Sequence, residues 1–509
     1  MKRWFVRFIF LVVLGVSLAT AHLWYVQARS AENAPQATAL AQASFTPQAS
    51  ATVAPTELPA TETPTATATA TPVPTATATP SSTPLPSVTP VPSVTPTASS
   101  TPFATLEPDE LAEDAVIPTP VAPFEIPDGV TNILLLGNDV GARQGGRTDS
   151  LIIVSINEEN RTAAMLSLPR DLYVVIPGWK ITRINQALPH GHGSGYPGGG
   201  GALVKDTILY NFGIAIDYYV RVGFDGFQQI VDRLDGIDVA VSCELEDWRL
   251  KEPELDPQDE ENWEMFGLGP GVYHMDGDLA LWYVRSRRTS SDFERGRRQQ
   301  QILRAILNKG LDLDMVTQLP GLWETYRETV ETDLPLPEML RLAALAPAVR
   351  QNGIQHLYLP EAALRAWMTS GGAAVQLLQW EEAEPVLAQL MRPPVLNRAT
   401  RAPLAVEVVT AHDAQYLLAA DNLTYHGFVP VHVQASGPAP GHTQVNYYGS
   451  NLKGSYDWLL TWVLGTEGDT INLAPDELGA GERYRVVLGE DYDPCRPQLE
   501  APSLGRGEE

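Results

Sequence analysis

Short apolar strands interleaved with amphipathic helices predict a fold of the α/β or α+β class. Three strands come first: Asn132 to Gly137 (NILLLG), Ser150 to Asn157 (SLIIVSIN) after a polar, glycine-containing turn, and Thr162 to Leu168, which stops at Pro169. Helical spacing follows in Ala202 to Phe212 and in Phe224 to Leu234, where Phe224, Phe227, Ile230, Val231 and Leu234 share one face. Leu279 to Arg287 reads as a strand, because alternation puts Leu281, Tyr283, Arg285 and Arg287 on one side. A helix runs from Asp292 through Leu307, and a partly helical connector covers residues 361–402. Leu404 to Tyr492 then has its own order of strand, helix, two strands, helix and strand, enough for a compact second domain.

Two segments ahead of these cannot form a core. Lys2, Arg3 and Arg7 precede an uncharged apolar run from Phe8 to Ala21, prolonged by Trp24, Tyr25 and Val26. This polarity predicts an N-terminal membrane helix over residues 1–26, with the N-terminus cytoplasmic and the rest extracytoplasmic. Ala19-Thr20-Ala21 offers the alternative of a cleaved signal peptide. Residues 27–127 are dominated by Ala, Thr and Pro and carry no Lys or Arg beyond Arg29. Such a stretch is an extended stalk of polyproline character, reaching at most about 3 Å per residue.

The 509 residues carry a formal net charge of -26, which excludes a general nucleic-acid binder. An anionic ligand must therefore meet a local basic cluster. The two cysteines, Cys243 and Cys495, have no metal-ligand spacing, and the sequence leaves open whether they pair. The acidic stretch Glu244 to Glu264 reads as a solvated surface loop. Gly193 to Gly201 lacks the G-K-S/T of a phosphate-binding loop and reads as a flexible rim.

Basic residues converge on the helix after Asp292. Counting back by fours from Leu307 and Leu303 reaches Gln299 and Arg295, and from Ile306 and Ile302 reaches Arg298, all on the apolar stripe. Arg297 and Arg304 take the solvent side. Buried guanidinium groups need anionic partners, and a pyrophosphate satisfies several at once through bidentate hydrogen bonds. Asp139 follows the first strand, and Arg147-Thr148-Asp149 opens the second. Two carboxylates flanking one turn suit Mg²⁺ bound to phosphate oxygens, although turn chemistry alone explains the same residues. Leu168-Pro169-Arg170-Asp171 ends the third strand and aims Arg170 at the same place.

These motifs, N-I-L-L-L-G-x-D at 132, R-T-D-S at 147, L-P-R-D at 168, V-R-S-R at 284 and D-x-x-R-x-x-R-Q-Q at 292, together resemble the LytR-CpsA-Psr family over residues 128–360. Residues 403–493 resemble the C-terminal domain often attached in that family, ahead of a tail at 494–509. The resemblance implies an α-β-α sandwich around a mixed central sheet with a pocket for a lipid, plus a small α/β C-terminal domain. It implies a Mg²⁺-dependent phosphotransferase that moves a glycopolymer from polyprenyl pyrophosphate to peptidoglycan or another wall acceptor. By that resemblance Asp139 and Asp149 hold the metal, and Arg147, Arg170, Arg285, Arg287, Arg295 and Gln299 hold the pyrophosphate, to which the helix register adds Arg298. Asp149 or Asp171 takes the proton of the acceptor hydroxyl. Two departures are mild: Arg183 stands where the family has lysine, and Asp235-Gly236 replaces a Gly-Gly turn; the C-terminal domain departs more, with Thr410-Ala411-His412-Asp413 where a glycine-rich turn is usual. A lipid pyrophosphatase and a non-catalytic glycan-binding surface protein are the competing readings.

Overall fold

The computed structural model describes residues 120–139, 146–252, 255–313, 315, 329–392, 404–448, 456–466, 471–474 and 484–495. The expected membrane helix, and the stalk up to residue 119, lie outside the described residues. Among those described, no helix is long and apolar enough to cross a membrane.

Six strands form the central sheet: β1 (Val130–Asn138), β2 (Thr148–Asn157), β3 (Thr162–Ser167), β4 (Tyr218–Gly223), β5 (Val330–Thr332) and β6 (Ile354–Tyr358), ordered β5-β4-β1-β2-β3-β6. β1 runs antiparallel to β2 and parallel to β4, and β6 runs parallel to β3, so the sheet is mixed. Among the described residues eight α-helices accompany it: α1 (Ala187–Ser194), α2 (Gly199–Phe212), α3 (Phe224–Arg233), α4 (Gly277–Arg285), α5 (Asp292–Asp312), α6 (Leu336–Ala343), α7 (Ala346–Asn352) and α8 (Trp380–Leu390). Leu134, Leu136, Leu151 and Ile153 point one way, into a core shared with α1, α2 and α8. Ile152, Val154 and Ile156 point the other way, against Leu303 and Leu307 of α5 and Val349 of α7. Strands covered on both faces read as unbroken apolar runs, which is why NILLLG and SLIIVSIN show no polar alternation. The result is the three-layer α-β-α sandwich.

Several expected elements differ. Leu279 to Arg287 is not a strand: Asp276 caps α4 by accepting from the Leu279 amide at 2.8 Å, and Arg285 closes the helix where a cation suits the dipole. The acidic stretch is a β-hairpin, Leu245–Leu250 paired with Trp263–Leu268. The glycine run is no flexible rim. A Cβ on Gly201 would lie 2.2 Å from the Tyr219 ring of β4, and one on Gly200 2.4 Å from the Leu188 carbonyl of α1, so glycine is what lets α2 pack against both. Residues 120–127, expected in the stalk, dock on the domain: the Val121 amide donates to the Tyr210 carbonyl, and Phe124 stacks on Trp380. Within the partly helical connector expected at 361–402, α8 packs into the first core through Ala383, Leu387 and Leu390.

The second domain has β7 (Leu404–Thr410), β8 (Phe428–Gln434), β9 (Gln444–Tyr448), β10 (Ile471–Ala474) and β11 (Tyr484–Val487) in the order β8-β7-β11-β9-β10, with α9 (Asp413–Tyr425) and α10 (Asp457–Leu464). It is fastened to the first by buried charge and by covalent bonding. Arg297 and Arg304 of α5 do not face solvent: their side chains are 11% and 13% exposed, and both converge on Asp421 of α9. Arg304 also meets His356 Nε2 at 2.8 Å, and His356 Nδ1 contacts Gln300 Oε1 at 2.7 Å. Arg297 lies over the Tyr425 ring. Cys243 and Cys495, 252 residues apart, form a disulfide across the same junction. The spacing gave no such signal because proximity here is wholly tertiary.

Asp421→Ala leaves two guanidinium groups buried without their carboxylate, and the expected cost is about 3–5 kcal/mol in denaturant unfolding. A second outcome concerns pH. Burial, followed by the field of Arg304, holds His356 far below its ordinary 6.5, and burial, followed by Arg297, pushes His426 down to about 3. Both stay neutral in the folded chain while the unfolded chain takes up protons below about 6.5, so stability should fall as pH drops from 6.5 to 5, above the range where ordinary carboxylates titrate. His426→Gln should flatten that slope in pH-dependent unfolding curves.

Candidate active site

The C-terminal ends of β1 and β4, the start of β2 and one face of α4 and α5 enclose two adjoining cavities. The first, of about 270 Å³, lies between the sheet and helices α3, α4 and α5, and is walled by Leu135, Ile152, Val222, Phe227, Val284 and Ile306 among others. Its surface is almost wholly apolar. The second, of about 320 Å³, opens beside it and is lined by Arg170, Arg249, Arg285, Arg287 and Arg295 against Asp149, Asp247 and Asp278. Asp149, Leu281, Val284, Arg285 and Gln299 belong to both, so the apolar space leads directly into the arginine-rich one.

Most of the negative charge there is already engaged. Arg249 Nη2 lies 2.5 Å from Asp278, Asp149 is ion-paired with Arg170, and Asp247 accepts from the Arg287 backbone amide at 2.7 Å. Arg285 faces the cavity with its guanidinium 4.3 Å from the centre of the Phe224 ring. Packing on its inner side lowers its pKa, and the fields of Asp149 and Asp139 act in the opposite sense. Arg295 is buried, and desolvation, reinforced by Arg287 and Arg170, pushes it down to about 10 against the pull of Asp292. Asp292 sits 2.9 Å from Arg295 Nη1 without hydrogen-bond geometry. Burial is the main cause of both lowered values, and a polyanion bound in the cavity would offset that cost.

The remaining anticipated residues fall into three groups. Gln299 stands at the junction, its Oε1 accepting from Ser150 Oγ at 2.9 Å. Asp139 and Arg147 are exposed at the ends of β1 and β2, and neither lines either cavity. Asp139 is close enough for its field to act on Arg285. Asp171 lies outside both cavities, between Arg170 Nε at 3.5 Å and Arg183 Nε at 3.2 Å. Arg298 is not in the cluster: it donates to the carbonyls of Tyr283 and Ser286 and to Ser290 Oγ, tying down the loop after α4. Its stripe position was correctly apolar-facing, but backbone carbonyls, not an anion, satisfy it. The hairpin residues Asp247, Trp248, Arg249 and Trp263, which supply a wall of the second cavity, carried no recognisable pattern, because their acidic neighbours made the whole stretch look solvated.

Oxygen donors for a metal are present beside the cluster. Asn138 and Thr148 are paired across β1 and β2, fully buried, and their side-chain Oδ1, Nδ2 and Oγ1 atoms have no hydrogen-bond partner among the described residues. With the carboxylates of Asp139 and Asp149 next in sequence, this all-oxygen set fits a hard cation such as Mg²⁺.

A family model described as LytR_cpsA_psr family matches residues 107–391, more than half of the chain and short of the second domain. The polyisoprenyl-teichoic acid–peptidoglycan teichoic acid transferase TagU of Bacillus licheniformis is 29% identical over 228 residues, covering 44% of this chain and 67% of that protein. The protein of the same name from Bacillus cereus is 30% identical over 250 residues, 46% of this chain and 74% of its own. The transferase TagT of Bacillus subtilis is 31% identical over 216 residues, 42% of this chain and 62% of its own. The crystal structure of B. subtilis TagV superposes with a TM-score of 0.40 at 28% identity, covering 52% of this chain and 97% of that one.

Replacing Arg295 with Ala removes one charge-assisted contact to a bound polyanion, worth about 1.5–3 kcal/mol, or roughly ten- to a hundredfold in Kd. Calorimetric titration with inorganic pyrophosphate should show this loss for Arg295→Ala and Arg285→Ala. Arg298→Ala should instead lower the thermal midpoint.

Proposed function

This chain belongs to the LytR-CpsA-Psr family, and from that premise we propose that it is an extracytoplasmic phosphotransferase moving a phosphoglycan from a polyprenyl pyrophosphate carrier to peptidoglycan or a related wall acceptor. The observation that carries the reading is the junction of the two cavities: an apolar space and an arginine cluster meet at Asp149, Arg285 and Gln299. An amphiphile with an apolar tail and a diphosphate head matches that gradient point for point. The relatives' names, which join polyisoprenyl-linked teichoic acid to peptidoglycan, support the same chemistry.

In the proposed reaction an acceptor hydroxyl oxygen attacks the phosphorus that bears the glycan. The bond from that phosphorus to the bridging oxygen breaks, and polyprenyl phosphate leaves with the electron pair. The hydroxyl proton passes to a carboxylate. Of the two candidates, Asp149 borders both cavities while Asp171 borders neither, so Asp149 takes this role. Arg285, Arg287 and Arg295 hold the pyrophosphate and stabilise charge as it shifts to the leaving group. Arg170, ion-paired with Asp149, orients that carboxylate toward the junction. Phe224, Phe227 and Ile306 hold the tail and exclude water from the apolar side. Bound Mg²⁺, held by Asp139 and Asp149 with Asn138 and Thr148 behind them, would neutralise phosphate oxygens. The apolar run at residues 8–26 would anchor the chain beside its lipid substrate.

Incubating the protein with a synthetic polyprenyl pyrophosphate donor and peptidoglycan fragments should give linked product that requires Mg²⁺, and Asp149→Ala should lower its rate by at least about a hundredfold. Free phosphoglycan without linkage would move the assignment to a lipid pyrophosphatase. Donor binding without turnover would make the protein a surface binder.

A further inference from the structure

A third space meets the same junction. Asp149, Arg295 and Gln299 also border a groove that runs the other way, past Gly296 and Leu168 to Phe293, Tyr358, Gln376 and, from the second domain, Tyr425. We infer that this groove is the acceptor subsite, holding an uncharged pyranose ring of the acceptor glycan against Tyr358 and Phe293, with the second domain completing its wall. The inference rests on the transferase reading given above.

Charge separates the groove from its neighbours. The arginine-rich cavity has five arginines against three aspartates, whereas the groove has two of each. Of the groove's two arginines, Arg297 is engaged by Asp421 and Asn422, and Arg295, only loosely held by Asp292, is shared with the arginine-rich cavity, where the diphosphate takes it. It therefore offers nothing to a second polyanion and suits a neutral, hydroxyl-bearing group. The walls agree with this. The Tyr358 and Tyr425 rings lie 6.2 Å apart and within 6° of parallel, and Phe293 meets Tyr358 edge-on at 6.5 Å. Aromatic faces of this kind take the apolar face of a ring while leaving its hydroxyls free for polar partners. One such partner is waiting: Gln376 Oε1 is buried and has no hydrogen-bond partner among the described residues. The Gln376 amide donates to the Asp171 carbonyl at 3.0 Å, so this residue is fixed to the loop that also carries Arg170. At about 50 Å³ the groove is far below the roughly 300 Å³ of an enclosed small-molecule site, which fits a ring resting on a wall and not a swallowed ligand.

The placement also suits the reaction. With the tail and diphosphate in the first two cavities, the groove brings a hydroxyl to Asp149 from the third side. Tyr425 cannot be moved independently of the catalytic helix, because Arg297 of α5 packs on its ring and His356 of β6 stacks beside it. The second domain thus acts on the site through the position of one aromatic wall.

The test is calorimetric titration of the full chain with a peptidoglycan disaccharide fragment and, separately, with inorganic pyrophosphate. Tyr358→Ala and Gln376→Leu should each weaken fragment binding roughly tenfold and leave the pyrophosphate Kd unchanged, while Tyr358→Phe, which keeps the ring, should bind like the unaltered chain. Equal fragment affinity in all variants, a parallel loss of both ligands, or no fragment binding by the unaltered chain would each overturn the assignment. Transfer assays separate this proposal from the one beneath it. Fragment binding that depends on Tyr358 in a protein that only hydrolyses donor would sink the transferase and leave the groove a glycan site. Linkage whose acceptor KM is indifferent to Tyr358→Ala would sink the groove and leave the transferase.

Discussion

The cost of removing arginine from water organises this molecule. Helix α5 carries Arg295, Arg297, Arg298 and Arg304, and all four guanidinium groups are withdrawn from bulk solvent. Each such group needs an anion or several carbonyl oxygens to offset several kcal/mol of desolvation. The four are satisfied in three different ways. Arg298 takes backbone carbonyls and fixes the loop after α4, and Arg297 and Arg304 take Asp421 and so recruit a second domain. Among the described residues Arg295 keeps only an ill-aligned Asp292, and that incomplete satisfaction is what makes a ligand site.

The same helix sets the boundary between oil and charge. Ile302, Leu303 and Ile306 face the apolar cavity, one turn earlier Gln299 borders both cavities, and a turn before that Arg295 faces the polar one. A 21-residue helix held by a capping box at Ser291 and Glu294 therefore grades the site from tail to head along its own axis. The sheet supplies the opposite wall, and its strand ends bring the carboxylates and the buried Asn138 and Thr148 to the place where the gradient changes sign.

A net charge of -26 opposes the approach of a polyanionic substrate at long range. Screening over about 8–10 Å at physiological ionic strength confines the long-range field, so the local imbalance of arginine over aspartate governs binding. The acidic hairpin places Arg249 on the cavity, paired with Asp278, and lays the half-exposed Trp248 along its rim. It belongs to the site wall despite its composition.

Local pattern made the strands, the helix of Arg295, the α/β class and most of the cluster legible, because apolar periodicity and i, i+4 spacing are properties of the chain itself. Asp149, Arg170, Arg285, Arg287, Arg295 and Gln299, whose motifs are scattered along the chain, all line the arginine-rich cavity. Leu279 to Arg287 was misread because its alternation fits a strand as well as a short helix, and the cap at Asp276 decides between them only through geometry. The outward reading of Arg297 and Arg304 failed for another reason: a helix face looks solvent-bound until a second domain covers it. By itself the sequence determined which residues are apolar, which are charged and which fall on one face. Tertiary structure decided what those faces meet, since the partner of Arg304 is 117 residues away and that of Cys243 is 252 away, distances over which no periodicity carries information.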